Sequence, residues 1–453
     1  MISGNNKNNS ILLDKELKIL RNAVEVAEKK NMIAAKTPTT KVIYDLLEQF
    51  LRSKKLICYG GTAINNILPK ADQFYDRNIE LPDYDFFTTD AINTAKQLAD
   101  IYYKYGFDEV EAKAGIHLGT YKVFVNFMPI ADITEIPKEL FNNLQKNSII
   151  VNNIHYAPPN YLRMAAYLEL SRPNGDVSRW EKVWKRLTLL NINYPINVNK
   201  CNIKDFIRKF EDINYDSNSI YKIVLNSIIK QKLIFFGGYA LYQYGKYLSQ
   251  NQKKLLSQNP DFDVLAIDPE KSAKIIKNDL HNNNIKNVSI IKHRNVGEII
   301  PEHIEIKINK DTIIFLFKPL ACHSYNSIKI NNKIINIATI DTMLSLYLAF
   351  IYINRPYFDE DRILCIAQYL FYIQFKNRLK QRGVLKRFST SCYGEQHTLD
   401  AIRAEKAFLY NKFKNKTCSK EYEKYFLRYI PSQPDKCKKT IKNKTKKNKT
   451  KKN

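Results

Sequence analysis

The stretch KLICYGGTAINNIL, residues 55–68, decides the fold of the first half of the chain. A short apolar run ends at two glycines, Gly60 and Gly61, and helix-favouring residues follow until a proline stops them. This pattern predicts a strand, a glycine turn and a helix. Such a turn offers unblocked backbone N–H groups and the positive end of a helix, which together suit a phosphate group. Thr62 and Asn65 lie near the same entrance and are candidate nucleotide contacts.

Helices and strands both flank this turn. Apolar residues at helical spacing predict two opening helices, over 12–31 and 41–53, and another over 91–105. Apolar runs predict strands over 81–87 and 121–134. The sequence therefore predicts a mixed α/β (α+β) module that begins with N-terminal helices.

Two aspartates, Asp83 and Asp85, lie on the first of these strands. Because side chains alternate along a strand, both carboxylates face the same side of the sheet. Carboxylate oxygens suit Mg²⁺, and two such ions can stabilise the attacking and leaving oxygens of a phosphoryl displacement. Asp132, on the second strand, is the candidate third ligand. These three residues form the predicted metal site.

The same order of motifs recurs later in the chain. The matching segments are 55–63 with 232–240, 82–86 with 260–264, and 148–153 with 327–332. An apolar helix follows in each copy, around Tyr167 and around Tyr347. We therefore predict two copies of one fold, joined near residues 193–204.

The third aspartate is the point where the two copies differ. Aligning residues 128–132 with 318–322 places Cys322 where the first copy has Asp132. A thiol is a poor ligand for Mg²⁺. The second copy is therefore predicted to be a scaffold, although it keeps Asp261 and Asp263.

The ordered set of strand, Gly-Gly, helix, Asp-x-Asp and later Asp resembles the DNA polymerase β-like nucleotidyltransferase superfamily. Within it, three segments are similar to the poly(A) polymerase catalytic subunits of poxviruses and giant DNA viruses. They are YGGTAIN at 59–65, PDYDFF at 82–87 and YLRMAAYLELSRP at 161–173. The resemblance covers roughly the first four hundred residues.

The resemblance implies ATP as the donor, an RNA 3′ end as the acceptor, and Mg²⁺ or Mn²⁺ as the cofactor. It also implies a catalytic half, with Asp83, Asp85 and Asp132 as catalytic residues, followed by a degenerate half. A viral protein of this kind is expected in the host cytoplasm or a viral factory, and in the virion. Poxvirus relatives gain processivity from a partner, so a homodimer and a complex with a processivity-factor subunit are both left open.

The chain is strongly basic, with a net charge of +27. Residues 436–453 hold ten lysines and no acid, so 27 − 10 leaves +17 on the rest. A body this basic attracts polyanions, of which nucleic acid is the commonest. The lysine-rich tail cannot bury a core and is predicted to be disordered.

Two groups of cations are candidates for substrate contacts. The segment SRWE at 178–181 has capping-box spacing and predicts a helix carrying Lys185 and Arg186, which either face the triphosphate or are simply solvated. The basic and aromatic stretch 372–388 predicts an RNA-binding surface, with an amphipathic surface helix as the alternative. Its cations are Lys376, Arg378, Lys380, Arg382, Lys386 and Arg387.

Other functional classes are disfavoured. No apolar run approaches the roughly 20 residues of a membrane-spanning helix, and the polar start lacks a signal-peptide core. We therefore predict a soluble intracellular protein with no membrane partner. The seven cysteines are scattered without a Cys-x-x-Cys pair and are predicted to be reduced thiols. The histidines show no metal-ligand spacing.

The predicted organisation has five parts. They are an N-terminal helical region (1–54), a catalytic module (55–195), a degenerate module (196–370), a basic and aromatic region (371–435) and a lysine-rich tail (436–453). The predicted function is template-independent poly(A) polymerase. Two alternatives are a terminal nucleotidyltransferase with another base or acceptor, and a non-catalytic RNA-binding subunit. The complete set of three aspartates argues against the second.

Overall fold

The computed structural model describes residues 6–35, 37–75, 81–198, 201, 217–247 and 261–433. Part of the predicted linker at 193–204, namely 199–200 and 202–204, and the whole lysine-rich tail lie outside these residues. Within them, no helix combines the length and apolar character needed to cross a membrane.

The described elements alternate between helix and strand. The helices are α1 (Asn6–Ala35), α2 (Pro38–Lys54), α3 (Gly60–Ile67), α4 (Ala91–Tyr105), α5 (Lys138–Lys146), α6 (Pro159–Leu170), α7 (Trp180–Asn193), α8 (Ser217–Lys230), α9 (Gly238–Tyr244), α10 (Pro269–Asn282), α11 (Ile340–Phe350), α12 (Glu360–Lys376), α13 (Leu399–Phe413) and α14 (Lys420–Phe426). The strands are β1 (Ile57–Tyr59), β2 (Tyr84–Thr88), β3 (Val110–Ala114), β4 (Thr120–Val125), β5 (Met128–Glu135), β6 (Ile149–Val151), β7 (Ile154–Tyr156), β8 (Ile234–Phe235), β9 (Phe262–Leu265), β10 (Val288–His293), β11 (His303–Ile308), β12 (Asp311–Phe317), β13 (His323–Ile330), β14 (Lys333–Ala338), β15 (Cys392–Tyr393) and β16 (Arg428–Tyr429). The predicted mixed α/β class is confirmed.

The chain divides into two compact units. The first takes its described residues from 1–135, 150–156 and 413–453, and the second takes them from 136–149 and 157–412. Within the second unit, α6 packs against α11, and within the first, β16 adds an antiparallel strand beside β3. The predicted domain boundaries follow the sequence repeat instead of compactness, and they stay a prediction.

The first unit is built on a sheet of order β16-β3-β4-β5-β2-β1-β7-β6. Helices α2 and α4 contribute its core on one face, where Ile43, Leu47 and Leu98 are fully buried. Burial of each such side chain contributes about 1.5–3 kcal/mol. The Tyr102 hydroxyl donates to the Ile43 carbonyl at 2.7 Å, which joins the two helices.

The covered face of this sheet also determines which residues remain accessible. The Tyr84 hydroxyl donates to Glu48 Oε1 on α2 at 2.6 Å, so Tyr84 lies on the helix-covered face. Because strand side chains alternate, Asp85 lies on the opposite face. The core packing of β2 therefore directs its carboxylate away from α2.

The predicted strand over 121–134 is wrong in one respect, because it is a hairpin of two strands, β4 and β5. The chain reverses at Asn126 and Phe127, whose φ angles are 49° and 65°. Such left-handed residues form the tight turns that connect twisted strands. The run VFVNFMPIA hides this turn, since a single asparagine is its only turn-favouring residue before the proline.

The second sheet repeats the first, and the predicted duplication is confirmed. Its order is β10-β11-β12-β9-β8-β14-β13-β15, so β10 to β12 match β3 to β5, and β9 and β8 match β2 and β1. The final hairpins match as well, because both turn on paired asparagines with positive φ. These pairs are Asn152 with Asn153 and Asn331 with Asn332.

The prediction that the cysteines are reduced thiols is wrong for five of the six cysteines that the structure describes. Cys58 is a free thiol, whereas Cys418 is disulfide-bonded. Cys201 is joined to Cys365 and Cys322 to Cys392, each as a disulfide. The partners are 164 and 70 residues apart in sequence, and the fold brings their Cα atoms to 5.4 and 5.1 Å. Spacing along the chain could not reveal these pairs, because tertiary packing alone places them together.

Candidate active site

The candidate active site is centred on two neighbouring parallel strands, β2 and β5. Asp85 and Asp132 are direct register partners across these strands, and both are half-buried. Asp83 comes one residue before β2 and is exposed. The structure thus brings Asp85 and Asp132 together on the sheet and places Asp83 at the adjoining strand end.

The glycine turn lies directly against the Asp85 carboxylate. Gly60 begins α3 with a φ of +73°, and a Cβ at this position would lie 2.6 Å from Asp85 Oδ2. Glycine is therefore required twice, for its backbone conformation and for this close approach. The first backbone N–H groups of α3 and the Asp85 carboxylate consequently share one entrance.

Thr62 and Asn65 are occupied by bonds within the protein. Thr62 is 3% exposed, and its hydroxyl donates to the Asp83 carbonyl at 2.6 Å. Asn65 is 1% exposed, and its Oδ1 accepts the N–H groups of Phe74 and Tyr75, both at 2.8 Å. In this arrangement the two side chains position the backbone around Gly60.

Sequence reasoning missed Lys122, which lies opposite Asp132 on β4. Its Nζ lies 2.8 Å from Asp132 Oδ1 and 2.5 Å from Oδ2. The side chains of Lys122 and Asp132 are 36% and 24% exposed, so water and small ions reach the pair. The hairpin register could have revealed Lys122, but only after the turn at Asn126 had been recognised.

An aromatic and hydroxyl layer lies beside these charges. The Tyr59 ring stacks on Phe87 with centroids 3.9 Å apart. The Tyr59 hydroxyl bonds Thr134 Oγ1 at 2.9 Å, and Thr134 in turn bonds Thr120 Oγ1 at 3.1 Å. These contacts tie β1, β2, β5 and β4 together and fix the strands that carry the aspartates.

The carboxylates make the local potential negative. Burial, with an added contribution from the nearby charge of Asp83, raises the pKa of Tyr44 to about 12. Burial also raises the pKa of the Cys58 thiol, with an added contribution from Asp85. Such a potential disfavours further anions and attracts cations.

The carboxylates of Asp83, Asp85 and Asp132 are chemically suited to a divalent metal, although they are not yet arranged around one position. Among the described residues, no three histidine, cysteine or acidic side chains form a group that could already hold an ion. Asp132 is instead neutralised by Lys122. Hard oxygen ligands on registered strands, beside a glycine that leaves room for Asp85, nevertheless suit Mg²⁺ or Mn²⁺.

The second sheet lacks the third carboxylate of the candidate active site. Asp263 is in register with Phe315 on β12, so Phe315 occupies the position of Asp132. The alignment that matched Asp132 with Cys322 is wrong, because Cys322 lies beyond the end of β12. A shared Pro-x-Ala pattern led to that alignment, but a residue's place on the strand depends on register. A phenyl ring excludes metal more firmly than a thiol does.

The predicted cationic helix forms, but with a different start. Helix α7 begins at Trp180 after a 3-10 turn, Val177–Arg179, that is capped by Asp176. The predicted capping box at 178–181 is therefore wrong, since the Ser178 hydroxyl bonds Asp176 instead. On α7, Lys185 pairs with Glu181 at 2.7 Å on the exposed surface, and Arg186 is half-buried.

The predicted RNA-binding cations divide into two kinds. Lys376, Arg378, Lys380, Arg382 and Lys386 are exposed. Arg387 is 9% exposed and forms a buried ion pair with Asp341, with Nη2 2.6 Å from Oδ1. The interpretation of Arg387 as a direct phosphate contact is wrong, because its guanidinium is committed inside the second unit.

Comparison with known proteins agrees with the motifs. Residues 45–176 match the family described as "Poly(A) polymerase catalytic subunit". A "Putative poly(A) polymerase catalytic subunit" of African swine fever virus (strain Badajoz 1971 Vero-adapted) is 34% identical over 161 residues, which is 34% of this chain and 33% of the relative. The protein of the same description from Acanthamoeba polyphaga mimivirus is 30% identical over 160 residues, 34% of this chain and 27% of the relative. The match thus spans about a third of the length of these curated relatives.

A solved structure extends the likeness in fold. The crystal structure of the Megavirus polyadenylate synthase superimposes with a TM-score of 0.76 and covers 99% of this chain and 90% of its own, at 18% identity. At this identity the likeness concerns the fold alone. Together, these comparisons confirm the resemblance to viral poly(A) polymerase catalytic subunits over residues 45–176, and a polyadenylate synthase-like fold over almost the whole chain.

Proposed function

We propose that this chain is a template-independent poly(A) polymerase that transfers AMP from ATP to RNA 3′ ends. The observation that carries this proposal is the register of Asp85 with Asp132 beside the close Gly60 turn. Carboxylates and a phosphate-binding turn then face one entrance, as nucleotidyl transfer requires. The names of the similar viral proteins support ATP and RNA as the substrates.

In this proposal Asp83, Asp85 and Asp132 hold Mg²⁺ or Mn²⁺. A pair of such ions would neutralise charge on the attacking and leaving oxygens of the displacement. The Gly60 and Gly61 backbone binds the triphosphate, while the Thr62 hydroxyl holds the Asp83 backbone against the same turn. Lys185 and Arg186 on α7 stay candidate triphosphate contacts.

Primer extension tests the reaction directly. The purified chain is given a labelled oligo(A) primer and each of the four NTPs separately, with Mg²⁺ or with Mn²⁺. We expect long products with ATP and little addition with the other three. Preferential addition of UMP or CMP would instead identify a terminal transferase of other specificity, and no addition of any nucleotide would favour the non-catalytic RNA-binding alternative.

The duplicated fold supplies a matched control for this assay. Asp85→Asn removes one charge from the first sheet, and Asp263→Asn makes the same change at the equivalent position of the second. We expect Asp85→Asn to abolish AMP addition and Asp263→Asn to retain it. Equal activity of the two variants would refute the assignment of the active site to the first sheet.

Assembly and location are part of the same proposal. The similar proteins are called catalytic subunits, which favours a processivity-factor partner, while a homodimer is the alternative. Light scattering of the purified chain, alone and after affinity capture from infected cells, distinguishes the two. Action on viral mRNA places the protein in the host cytoplasm or viral factory, and in the virion, and fractionation of infected cells tests this.

A further inference from the structure

The second unit carries an exposed surface that the candidate active site does not use. It consists of the end of α12, the segment that follows it up to Phe388, and Trp184 on α7, and we call it the basic strip. We propose that the basic strip binds single-stranded RNA. The inference rests on the proposed function, which makes RNA the acceptor and the product.

Large aromatic side chains are concentrated on the basic strip. Phe375 is 58% exposed, Tyr372 51%, Phe388 39% and Trp184 38%. Rings of this size normally bury most of their surface, and a group of them left in water marks a binding surface. Every base has an apolar face that stacks on such rings, whatever the sequence of the strand.

Cations stand beside these rings. The Arg378 guanidinium lies 4.9 Å from the centre of the Phe375 ring, and Lys376 Nζ lies 5.6 Å from that of Tyr372. Each pair combines a stacking surface with a donor for phosphate. This is the combination by which proteins hold single-stranded nucleic acid without reading its sequence.

A small cavity of about 20 Å³ lies between the end of α12 and the segment that follows it. Arg378 and Lys386 both line it, together with Gln374 and Val384. Phe375 lies at the Arg378 side through the ring contact described above. The cavity lining therefore places the cations Arg378 and Lys386 on the same part of the basic strip.

Arg387 positions the aromatic rings at the other end of the basic strip. Its ion pair with Asp341 is buried, and its guanidinium lies 4.1 Å from the Trp184 ring and 5.0 Å from the Phe388 ring. These two rings are almost perpendicular, at 87°. Arg387 is thus a positioning residue, and the rings are fixed before any ligand arrives, which lowers the entropic cost of binding.

The charge of the basic strip selects a polyanion. No aspartate or glutamate occurs between residues 362 and 394, while five exposed cations do, as given above for the predicted RNA contacts. On α7, which carries Trp184, the exposed Glu181 is paired with Lys185. A net positive surface of this kind binds phosphates with release of counterions. Among polyanions, single-stranded nucleic acid also uses the exposed rings for stacking. The proposed function makes that strand RNA.

Anisotropy measurements on the full-length chain test the inference. A fluorescein-labelled oligo(A) of about 20 nucleotides, long enough to cover the basic strip, is titrated without ATP in an Asp85→Asn background. We expect Phe375→Ala with Arg378→Ala to weaken binding at least about tenfold. Arg378→Gln with Lys386→Gln should lower the slope of log Kd against log salt by about two. Because no catalysis is involved, failure here is separable from failure of the proposed function.

The matched control is Phe408→Ala with Arg403→Ala on α13, which removes an exposed ring and an exposed cation from the same unit. It should bind RNA as the parent does. The glutamine pair removes only exposed charges, so it reports on RNA even if the alanine pair misfolds. The inference is overturned if the glutamine pair binds RNA like the parent. It is overturned equally if that pair loses only binding of a poly-glutamate probe, which would identify a protein-docking surface.

Discussion

The two sheets of this chain share one strand order but differ at the registered positions that carry carboxylates in the first sheet. In the first, Asp85 faces Asp132, and in the second, Asp263 faces Phe315. The next strand in each sheet also differs, because β4 carries Lys122 where β11 carries Glu305. The fold tolerates both sets, so the chemistry depends on a few side chains carried by a common frame.

The second sheet uses these positions for packing. Phe315 is 2% exposed, and its ring lies 4.9 Å from that of Tyr357 and 5.8 Å from that of His303. Glu305 is 5% exposed and bonds His293 at 3.0 Å. An interior of rings and paired charges has replaced an accessible set of carboxylates, which explains how the second copy can be a scaffold.

The glycine turns also differ in how much room they leave. At Gly237 a Cβ would lie 2.4 Å from Asp263 Oδ2 and 2.7 Å from the Asp263 backbone nitrogen. At Gly60 the conflict is with the Asp85 side chain alone. The second turn is therefore closed by backbone, whereas the first is closed only by a side chain that can move.

Removing the third carboxylate should have the largest effect on activity. We expect Asp132→Asn to lower the rate of AMP addition on the order of 10³-fold, since transition-state charge would lose part of its stabilisation. Phe315→Leu is the matched change in the second sheet and should retain the parental rate. Single-turnover extension with ATP measures both. A Phe315→Leu chain as inactive as Asp132→Asn would mean that both sheets take part in the reaction.

Filling the glycine turn should have the next largest effect. Gly60→Ala places a methyl group against Asp85 Oδ2, and a displacement of about 1 Å at such a site costs about 10²-fold in rate. Gly106→Ala is the control, because Gly106 also has a positive φ, +114°, but no atom lies within 4 Å of its would-be Cβ. If both variants lose the same activity, backbone strain and not the collision is responsible.

Acid should destabilise the second sheet through His303. Burial lowers the pKa of His303 to about 4, against an offset from its bond to the Pro301 carbonyl. The Tyr357 hydroxyl lies 2.9 Å from its Nε2, and His293 stacks on it at 4.7 Å. Because the folded pKa is below the ordinary 6.5, the unfolded chain binds this proton more readily. The His303 contribution is therefore complete above about pH 6.5 and falls as the pH drops towards 4.

The expected loss from His303 is about 2 kcal/mol in the free energy of unfolding between pH 7 and pH 5. Urea titrations of the parent and of His303→Gln at both pH values measure it, and the variant should lose less. Thr120, the equivalent residue on β4 of the first sheet, does not titrate in this range, so Thr120→Ser is the control. Identical pH dependence of parent and His303→Gln would contradict the assignment.

The parts that sequence could predict are those written in local patterns. The turn at Gly60 and the repeated motifs, such as 148–153 and 327–332, each lie within a few residues. The placement of Asp83 on the same face as Asp85 stays a prediction, because Asp83 precedes β2. Register between strands is not written in a local pattern, which is why Phe315 was missed and Cys322 was chosen in its place. The disulfides and the buried ion pair of Arg387 with Asp341 could not be predicted for the same reason, since they join residues that only tertiary packing brings together.

Substitution of Lys122 tests whether its ion pair with Asp132 competes with metal binding. An accessible ion pair such as Lys122 with Asp132 is worth up to about 1 kcal/mol. A divalent ion that binds Asp132 must displace the Lys122 ammonium from the carboxylate. Lys122→Met should therefore tighten Mn²⁺ binding roughly fivefold. Calorimetric titration of Mn²⁺ without ATP measures this independently of catalysis. Lys113→Met removes the same charge one strand further from Asp132, where Lys113 faces Glu111 at 3.6 Å. An equal gain in both variants would show that long-range charge, and not the pair itself, opposes the metal.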